Sequence, residues 1–276
     1  MNNNNNKSII KTWVNNKIID QNQAVVSALS PGFQYGAGLF ETIRVDKDKI
    51  FYLKEHVARL KRAWEKLFFK PAPEIKWKNI IHTLIHENNL QRKIVAVKLL
   101  ISKTDTKGGI FSAVFTKVYV HRLEILGKKS LDLITYPHPR QSPLSNYKTL
   151  NYLYYDLAGE YARTKKGDEA LILNTDSTIS ETNTANILAI KDKTIIVPQS
   201  LHVLDGVTIK SVLTILSKKG YDICKKKVTK EQFCLYPNII ITNSLMGAVK
   251  ILSIDKKKIQ HTKGICSMIN EQLFKQ

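Results

Sequence analysis

The order of the apolar patterns over residues 7–126 is the feature that most limits the fold of this chain. Two hairpin-like pairs of short β-branched runs come first, one around Asn15-Asn16 and one around residues 46–49. Two segments with helical spacing of apolar residues follow, HVARLKRAWEKL and residues 77–85, and then two more β-branched runs, IVAVKLLIS and SAVFTKVYVHRL. This order predicts a small α+β domain in which two helices cover a sheet.

A second, larger domain is predicted downstream. The pattern pauses at Gly127 and resumes with one strand and a proline-bearing stretch. We therefore expect a linker and the first strand of the next domain over residues 127–140, and the large domain over residues 141–276, mostly strands with interspersed helices. The asparagines at positions 2 to 6 predict a disordered tract over residues 1–6.

Composition excludes several classes of protein. No run of about 18 apolar residues occurs and the N-terminus lacks the apolar core of a signal peptide, so we expect a cytoplasmic protein without a membrane span. The net charge of +20 could suit nucleic acid, but the basic residues are scattered and not interleaved with aromatic ones, which predicts solvated faces and no nucleic-acid partner. Neither the three cysteines nor the seven histidines have metal-ligand spacing, so no metal site is expected.

Lys148 precedes a segment whose apolar residues recur every three to four positions. That spacing predicts a helix with one buried stripe. Most lysines are solvated, whereas a lysine at the start of a buried face is expected to lie in an enclosed place. The predicted stripe consists of Leu150, Tyr154, Leu157 and Tyr161.

Two stretches downstream of Lys148 supply further polar groups. In TISETNTANILAI, Glu181 is predicted between two short strands, away from any basic run that would explain it as a surface ion pair. In VLDGVTIKSVL, Gly206 permits a tight turn, and the backbone amides of Val207 and Thr208 begin a helix. Amides at a helix N-terminus bind phosphate groups.

A third stretch, IIITNSLMGAVKI, ends an apolar strand in three small polar residues, Thr242, Asn243 and Ser244. Their side chains can donate hydrogen bonds to an anion. Together with Lys148 and Glu181, the chain thus offers a reactive amine, a carboxylate and two phosphate-binding turns. These are the groups that pyridoxal 5′-phosphate (PLP) requires.

The motifs resemble, in order and spacing, those of the class IV aminotransferase family, the fold-type IV PLP-dependent enzymes. The matching segments span nearly the whole chain: YGAGLFETIRV, HVARLKRAWEKL, KTLNYL, GDEALIL, ISETNTANI, LDGVTIK and TNSLMGAV. The resemblance implies a smaller N-terminal α/β sandwich and a larger C-terminal pseudo-barrel domain. It also implies a homodimer, because family members build each pocket at a subunit boundary.

The resemblance also assigns roles to individual residues. Lys148 would form the Schiff base with the cofactor aldehyde, Glu181 would pair with the pyridine nitrogen, and Leu204 would lean on the ring. The phosphate would be held by Arg59, Val207, Thr208 and Ser244. Positions near the substrate pocket would be Tyr35, Phe40 and Thr42.

The motifs YGAGLFETIRV, HVARLKRAW and TNSLMG are most similar to those of 4-amino-4-deoxychorismate lyase, which releases pyruvate and yields 4-aminobenzoate for folate biosynthesis. KTLNYL lacks the double glycine that follows the lysine of branched-chain aminotransferases, and ISKTDTKGGIFSAV has no Arg-x-His pair like that of D-amino-acid aminotransferases. The expected activity is therefore the lyase, with a class IV aminotransferase acting on D-amino acids or branched-chain amino acids as the alternative. A non-catalytic basic binding protein on the same fold is a remote third reading.

Overall fold

The structure is a computed structural model, and it describes residues 10–275. The predicted tract over residues 1–6 lies outside the described residues. The contacts between residues divide the chain into two compact units. Within the described range, unit 1 comprises residues 10–119 and 149–151, and unit 2 comprises residues 120–148 and 152–275.

Unit 1 contains a six-stranded sheet with the strand order β2-β1-β6-β5-β3-β4, in which all neighbouring strands are antiparallel. Helices of this unit contact four of its strands, β1, β3, β5 and β6. In chain order the elements are β1 (Lys11–Val14), β2 (Lys17–Asp20), α1 (Pro31–Gln34), β3 (Gly38–Asp46), β4 (Lys49–Ile50), α2 (Leu53–Phe68), α3 (Trp77–Glu87), β5 (Ile94–Lys103) and β6 (Ile110–Val118).

The two predicted hairpins of unit 1 are confirmed. Asn15 and Asn16 join β1 to β2 with φ angles of 46° and 69°. Lys47 and Asp48 join β3 to β4 with φ angles of 48° and 65°. Two consecutive residues with positive φ form the tight turn whose twist matches that of the flanking strands, which is why asparagine and aspartate suit these positions.

The two predicted helices of unit 1 are also confirmed. Helix α2 buries Leu60 and Trp64, and helix α3 buries Ile81, Leu84 and Ile85. These residues recur at helical spacing and form the apolar face that each helix packs on the sheet. The core of unit 1 therefore includes the apolar faces of both helices and the strands that they contact.

Unit 2 contains a nine-stranded sheet with the strand order β12-β11-β10-β13-β14-β7-β8-β9, to which β15 adds beside β14. Strand β9, at one end of the order, also contacts β10 near the other end, so the sheet curls. The elements are α4 (Arg122–Leu126), β7 (Leu131–Thr135), α5 (Leu153–Thr164), β8 (Glu169–Leu173), β9 (Ile179–Thr182), β10 (Asn186–Lys191), β11 (Thr194–Pro198), α6 (Val207–Ser217), β12 (Asp222–Lys226), α7 (Lys230–Phe233), β13 (Ile239–Asn243), β14 (Gly247–Ile254), β15 (Lys257–Lys258) and α8 (Ile265–Leu273). The α+β prediction, with the smaller sheet unit first, is confirmed.

The β-branched pattern predicts a single strand over SAVFTKVYVHRL, but only the first part of this segment is a strand. Strand β6 ends at Val118, and the next residues turn into helix α4. The imidazole Nδ1 of His121 accepts a hydrogen bond from the Leu123 amide at 3.2 Å, which caps the helix N-terminus. Gly127, with a φ of 62°, ends the helix in the left-handed conformation that glycine adopts without strain.

Helix α4 belongs to unit 2, although the sequence pattern assigns residues 120–126 to the small domain. Arg122 donates a hydrogen bond to the buried carboxylate of Glu169 at 2.5 Å and another to the backbone carbonyl of Asp168. This ion pair ties the helix to strand β8 of the large sheet.

The buried face of α5 differs from the predicted stripe. Leu157 is 45% exposed, and the helix instead buries Tyr155, Ala158, Gly159 and Ala162. A Cβ atom at Gly159 would lie 2.6 Å from the side-chain nitrogen of Asn183, so the helix approaches its neighbours too closely for large side chains. The prediction that Leu157 is buried is therefore wrong, because small residues occupy the contact face.

The part of the chain that the structure describes has no membrane-spanning helix, no disulfide bond and no cluster of metal ligands. No helix within residues 10–275 has the length and apolar character needed to cross a membrane. The three cysteines, Cys224, Cys234 and Cys266, are half-buried free thiols. Among the described side chains, no group of three or more His, Cys, Asp and Glu residues is placed to hold a metal ion.

Candidate functional site

Lys148 lies in unit 2 between a short 3-10 helix, Pro143–Asn146, and helix α5. Its side chain is half-buried, and its Nζ lies 5.6 Å from the centroid of the Tyr152 ring. Its positive charge helps to lower the pKa of Glu181. The structure thus brings together the two residues that the sequence singles out as amine and carboxylate.

The sequence pattern predicts Glu181 between two short strands, but the residue lies within strand β9. The pairing of Glu181 with Ile172 of β8 extends the strand through this position. The residue is only 5% exposed. The Tyr155 hydroxyl donates to Oε1 at 2.6 Å, and the Leu204 amide donates to Oε2 at 3.3 Å. Both hydrogen-bond donors are uncharged.

Burial raises the pKa of Glu181 from its ordinary value of 4.5 to about 7. The two hydrogen bonds and the charges of Arg140 and Lys148 offset only part of this effect. A carboxyl group in this state is balanced between its two protonation states near neutral pH. A cationic partner, such as a protonated aromatic nitrogen, would therefore shift it to the carboxylate.

The N-terminus of helix α6 has the features of an anion site. Gly206 is its N-cap residue, and no described side chain caps the helix. The next two residues, Val207 and Thr208, are buried and contribute the first backbone amides of the helix. A Cβ atom at position 206 would collide with Oδ1 of Asn186, whose Nδ2 donates to the Leu204 carbonyl at 2.9 Å. The uncapped amides suit a phosphate group.

The end of strand β13 adds an unsatisfied hydroxyl. Thr242 is paired with Asn186 of β10, so their side chains lie on the same face of the sheet. The Thr242 Oγ1 is buried and has no hydrogen-bond partner among the described residues, a loss of about 1–3 kcal/mol that a phosphate oxygen would remove. Ser244 lies in the following turn. There, Oδ1 of Asn243 accepts hydrogen bonds from the backbone amides of Leu245 and Met246.

These groups fit PLP. The amine of Lys148 suits its aldehyde, the carboxyl group of Glu181 suits its ring nitrogen, and the N-terminus of helix α6 with the Thr242 hydroxyl suits its phosphate. Leu204 contacts Glu181 through its amide. All of these residues belong to unit 2.

Arg59 belongs to unit 1, where it makes a bidentate contact with Glu41. Its Nε donates to Oε1 at 2.7 Å and its Nη2 donates to Oε2 at 2.6 Å. The Nδ1 of His56 lies 2.7 Å from Oε2 of the same carboxylate. Glu41 is 1% exposed, and although burial alone would raise its pKa, Arg59 and His56 lower it to about 2. This contact fixes the direction of the Arg59 side chain.

The three predicted substrate residues also belong to unit 1. Phe40 and Thr42 lie two positions apart on β3 and therefore on the same sheet face, whereas Tyr35 is 73% exposed at the end of α1. Lys98 of β5 pairs with Thr42, and its Nζ lies 4.5 Å from the centroid of the Phe40 ring. Desolvation of the Lys98 ammonium group lowers its pKa.

Sequence reasoning missed several residues that shape these groups. Glu41 lies in the motif YGAGLFETIRV, and its position in that matching segment is the sequence signal that could have identified it. Tyr155 and Arg140 carry no such signal, because their importance depends on contacts between segments far apart in the chain. Lys98 lies in a strand pattern that marks only its apolar neighbours.

The chain is similar to known proteins over most of its length. Residues 38–254 match the class IV aminotransferase family. A branched-chain-amino-acid aminotransferase-like protein 2 from Arabidopsis thaliana is 26% identical over 91% of the chain, which spans about half (47%) of that relative. A probable branched-chain-amino-acid aminotransferase from Rickettsia bellii is 25% identical, with 95% of the chain and 94% of the relative covered.

Solved structures share the fold. The branched-chain aminotransferase from Thermoproteus uzoniensis, crystallised with norvaline, superposes with a TM-score of 0.86 over 96% of this chain and 93% of its own, at 20% sequence identity. The predicted fold class, including the curled sheet of the larger unit, is confirmed by this likeness. Members of the matching family use PLP, and the groups of unit 2 fit that cofactor. The chain therefore belongs to the class IV aminotransferase family and is a PLP-dependent enzyme.

Proposed function

We propose that this enzyme is an aminotransferase that moves the α-amino group of a branched-chain amino acid to a 2-oxo acid. The observation that carries the proposal is the buried environment of Glu181, with uncharged hydrogen-bond donors, in the same unit as Lys148 and the uncapped N-terminus of helix α6. The match to the aminotransferase family over residues 38–254 and the names of the relatives support this reaction over the lyase that the motifs favour.

The residues of unit 2 have distinct tasks in this reaction. Bound PLP supplies an aldehyde and an electron-withdrawing ring. Lys148 would hold the cofactor through its amine, and the same amine would serve as general base toward the substrate α-proton. Glu181, as a carboxylate, would accept a hydrogen bond from the ring nitrogen and would keep that nitrogen protonated. The amides of Val207 and Thr208 would bind the phosphate, with Ser244 and Thr242 as hydroxyl donors.

The residues of unit 1 suit an anionic substrate with an apolar side chain. Phe40 and Thr42 share a sheet face, and the Lys98 ammonium lies over the Phe40 ring. A cation beside an aromatic face can bind a carboxylate while the ring contacts an alkyl group. The phosphate-binding role of Arg59 and the substrate role of Tyr35 stay predictions.

The lyase is the second candidate, because specific sequence features favour it. KTLNYL follows the lysine without a double glycine, and no Arg-x-His pair occurs after Leu100. A lyase consumes no amino acceptor, since its product amine and pyruvate come from one substrate. An aminotransferase must bind two carboxylates in turn and needs a 2-oxo acid.

Stoichiometry tests the proposal. The purified enzyme is given leucine, isoleucine or valine with 2-oxoglutarate, then D-alanine with 2-oxoglutarate, and then aminodeoxychorismate alone. We expect glutamate to form with the branched-chain amino acids only, and Lys148→Ala to abolish it. Formation of 4-aminobenzoate without an acceptor, and no glutamate in the other assays, would replace the proposal with the lyase.

We also propose that the enzyme is a homodimer. Residues 25–35 of unit 1 expose several large apolar side chains, and a two-fold interface would cover the same patch on both chains. The exposed fractions are 76% for Val25, 71% for Leu29, 67% for Phe33 and 73% for Tyr35. Sedimentation velocity tests this assembly, and a fully active monomer would contradict it.

A further inference from the structure

We propose that Arg140 and Tyr155 are positioning residues for Glu181: the guanidinium over the Tyr155 ring strengthens the phenol's hydrogen bond to Glu181 and thereby keeps Glu181 a carboxylate. The inference rests on the proposed function, in which that carboxylate faces the ring nitrogen of PLP. It assigns a task to two residues that the chemistry above leaves unused.

The guanidinium group of Arg140 lies over two tyrosine rings. Its Cζ lies 4.4 Å from the centroid of the Tyr155 ring and 5.0 Å from that of Tyr154. One of its terminal nitrogens, Nη1, is buried and has no hydrogen-bond partner among the described residues. A buried guanidinium nitrogen without a partner is costly, so the aromatic faces are the contacts that compensate the charge.

The phenol of Tyr155 contacts both Arg140 and Glu181. The Tyr155 hydroxyl donates to Oε1 of Glu181 at 2.6 Å, a length typical of O–H···O bonds to an ionised acceptor. A cation over the face of a phenol ring withdraws electron density from it and makes its hydroxyl a better donor. Arg140 therefore acts on Glu181 without touching it and leaves the carboxylate available to a cofactor.

The charged and titratable groups that act on Glu181 come from several segments of unit 2. Arg140 and Lys148 precede helix α5, and Tyr152, Tyr154 and Tyr155 belong to the start of that helix. From the segment before α6, the Leu204 amide contacts the carboxylate. Burial raises the pKa of Tyr155, so the phenol remains a donor throughout the working pH range.

The neighbouring tyrosine provides a matched control. Tyr154 lies under the same guanidinium, but its hydroxyl donates to the backbone carbonyl of His138 at 2.5 Å and not to Glu181. Tyr154→Phe removes a phenol beside Arg140 without removing a bond to the carboxylate. Tyr155→Phe removes the bond itself.

The test follows the protonation of Glu181 directly. Infrared difference spectra of the full-length chain, recorded against Glu181→Gln across pH and before PLP is added, report the carboxyl C=O band of this residue. We expect Tyr155→Phe and Arg140→Met each to raise the midpoint of that band by roughly one to two pH units, the size of a hydrogen bond to a charged group. Tyr154→Phe should leave it in place, and Arg140→Lys should restore only part of the shift, because lysine lacks the planar fork.

A double variant tests the route. If Arg140 acts through Tyr155, then Arg140→Met in a Tyr155→Phe background shifts the midpoint clearly less than it does alone. Additive shifts would overturn the relay, and so would an unchanged midpoint in either single variant. Circular dichroism on every variant verifies the fold.

Failure of the proposed function has a different signature. A chain that never becomes yellow with PLP, or that forms no glutamate, contradicts the function while the infrared midpoints are still measured without cofactor. A wild-type midpoint in Tyr155→Phe together with normal transamination contradicts the relay alone.

Discussion

Each unit contains a deeply buried carboxyl group beside residues that the family motifs mark, Glu41 in unit 1 and Glu181 in unit 2, and the pKa values of the two groups are shifted in opposite directions. Glu41 in unit 1 contacts the guanidinium group of Arg59 and the imidazole ring of His56 at 2.6–2.7 Å. Glu181 in unit 2 contacts a phenol and a backbone amide. Burial raises the pKa of both, but the contacts with Arg59 and His56 lower that of Glu41 to about 2, whereas the pKa of Glu181 stays raised at about 7.

The difference separates a structural carboxylate from a chemical one. Both oxygens of Glu41 are committed to charged partners, so the group fixes Arg59 and has little left to offer a ligand. Glu181 is held in position by neutral donors, and no cationic side chain among the described residues donates a hydrogen bond to it. A protonated ring nitrogen would complete such a site, because it supplies the charge that the protein withholds.

The largest expected effect comes from removing the chemical carboxylate. Glu181→Gln keeps the shape and one hydrogen-bond acceptor but cannot hold a ring nitrogen protonated, so we expect kcat to fall by roughly 10²–10⁴-fold, the range for a lost acid–base partner. PLP binding, measured by absorbance titration, should persist. A wild-type kcat would show that Glu181 is only a buried strand residue.

The second effect comes from removing the structural carboxylate. Glu41→Gln leaves the Arg59 side chain, which is 11% exposed, without its charged partner. Breaking a buried ion pair from one side destabilises a protein by about 3–5 kcal/mol. Urea denaturation at pH 7 should show this loss of unfolding free energy. A loss below that of a surface pair would place Glu41 in the same class as Glu181.

The third effect is a difference in pH dependence, measured on the chain without PLP. Because the folded-state pKa of Glu181 is raised from 4.5 to about 7, its contribution to stability is complete below about pH 4.5 and is lost as pH rises through 7. The loss amounts to about 3 kcal/mol. Comparing the unfolding free energy of wild type with that of Glu181→Gln at pH 5 and pH 8 should reveal it as a gap that changes with pH.

Glu41 should behave in the reverse direction. Its folded-state pKa is depressed from 4.5 to about 2, so its contribution is complete above about pH 4.5 and is lost as pH falls through 2. The gap between wild type and Glu41→Gln should therefore shrink in acid. Gaps that move in the same direction for both variants would break the comparison.

Much of this architecture follows from local sequence patterns, and the exceptions have physical causes. The hairpins at Asn15-Asn16 and Lys47-Asp48 were predictable because their turns need residues that accept positive φ. The buried face of α5 was not predictable, because apolar spacing favours Leu157 over Gly159 as a buried residue. Only the close approach of the helix to Asn183 shows that small residues are required there. The same holds for Tyr155 and Arg140, whose tasks depend on contacts with Glu181 and with each other.

The smallest expected effect comes from a carboxylate on the surface of unit 1, which tests whether burial is the cause of these differences. Glu74 Oε1 lies 2.5 Å from the Nζ of Lys61, a distance shorter than those in the Glu41 cluster, but the Glu74 side chain is 86% exposed. Water and salt screen such a pair, and holding two long side chains together costs entropy, so exposed pairs contribute under about 1 kcal/mol. Glu74→Gln should therefore leave the unfolding free energy within that range at pH 7. If it destabilised the chain as much as Glu41→Gln, ion-pair distance and not burial would explain the strength of the Glu41 cluster.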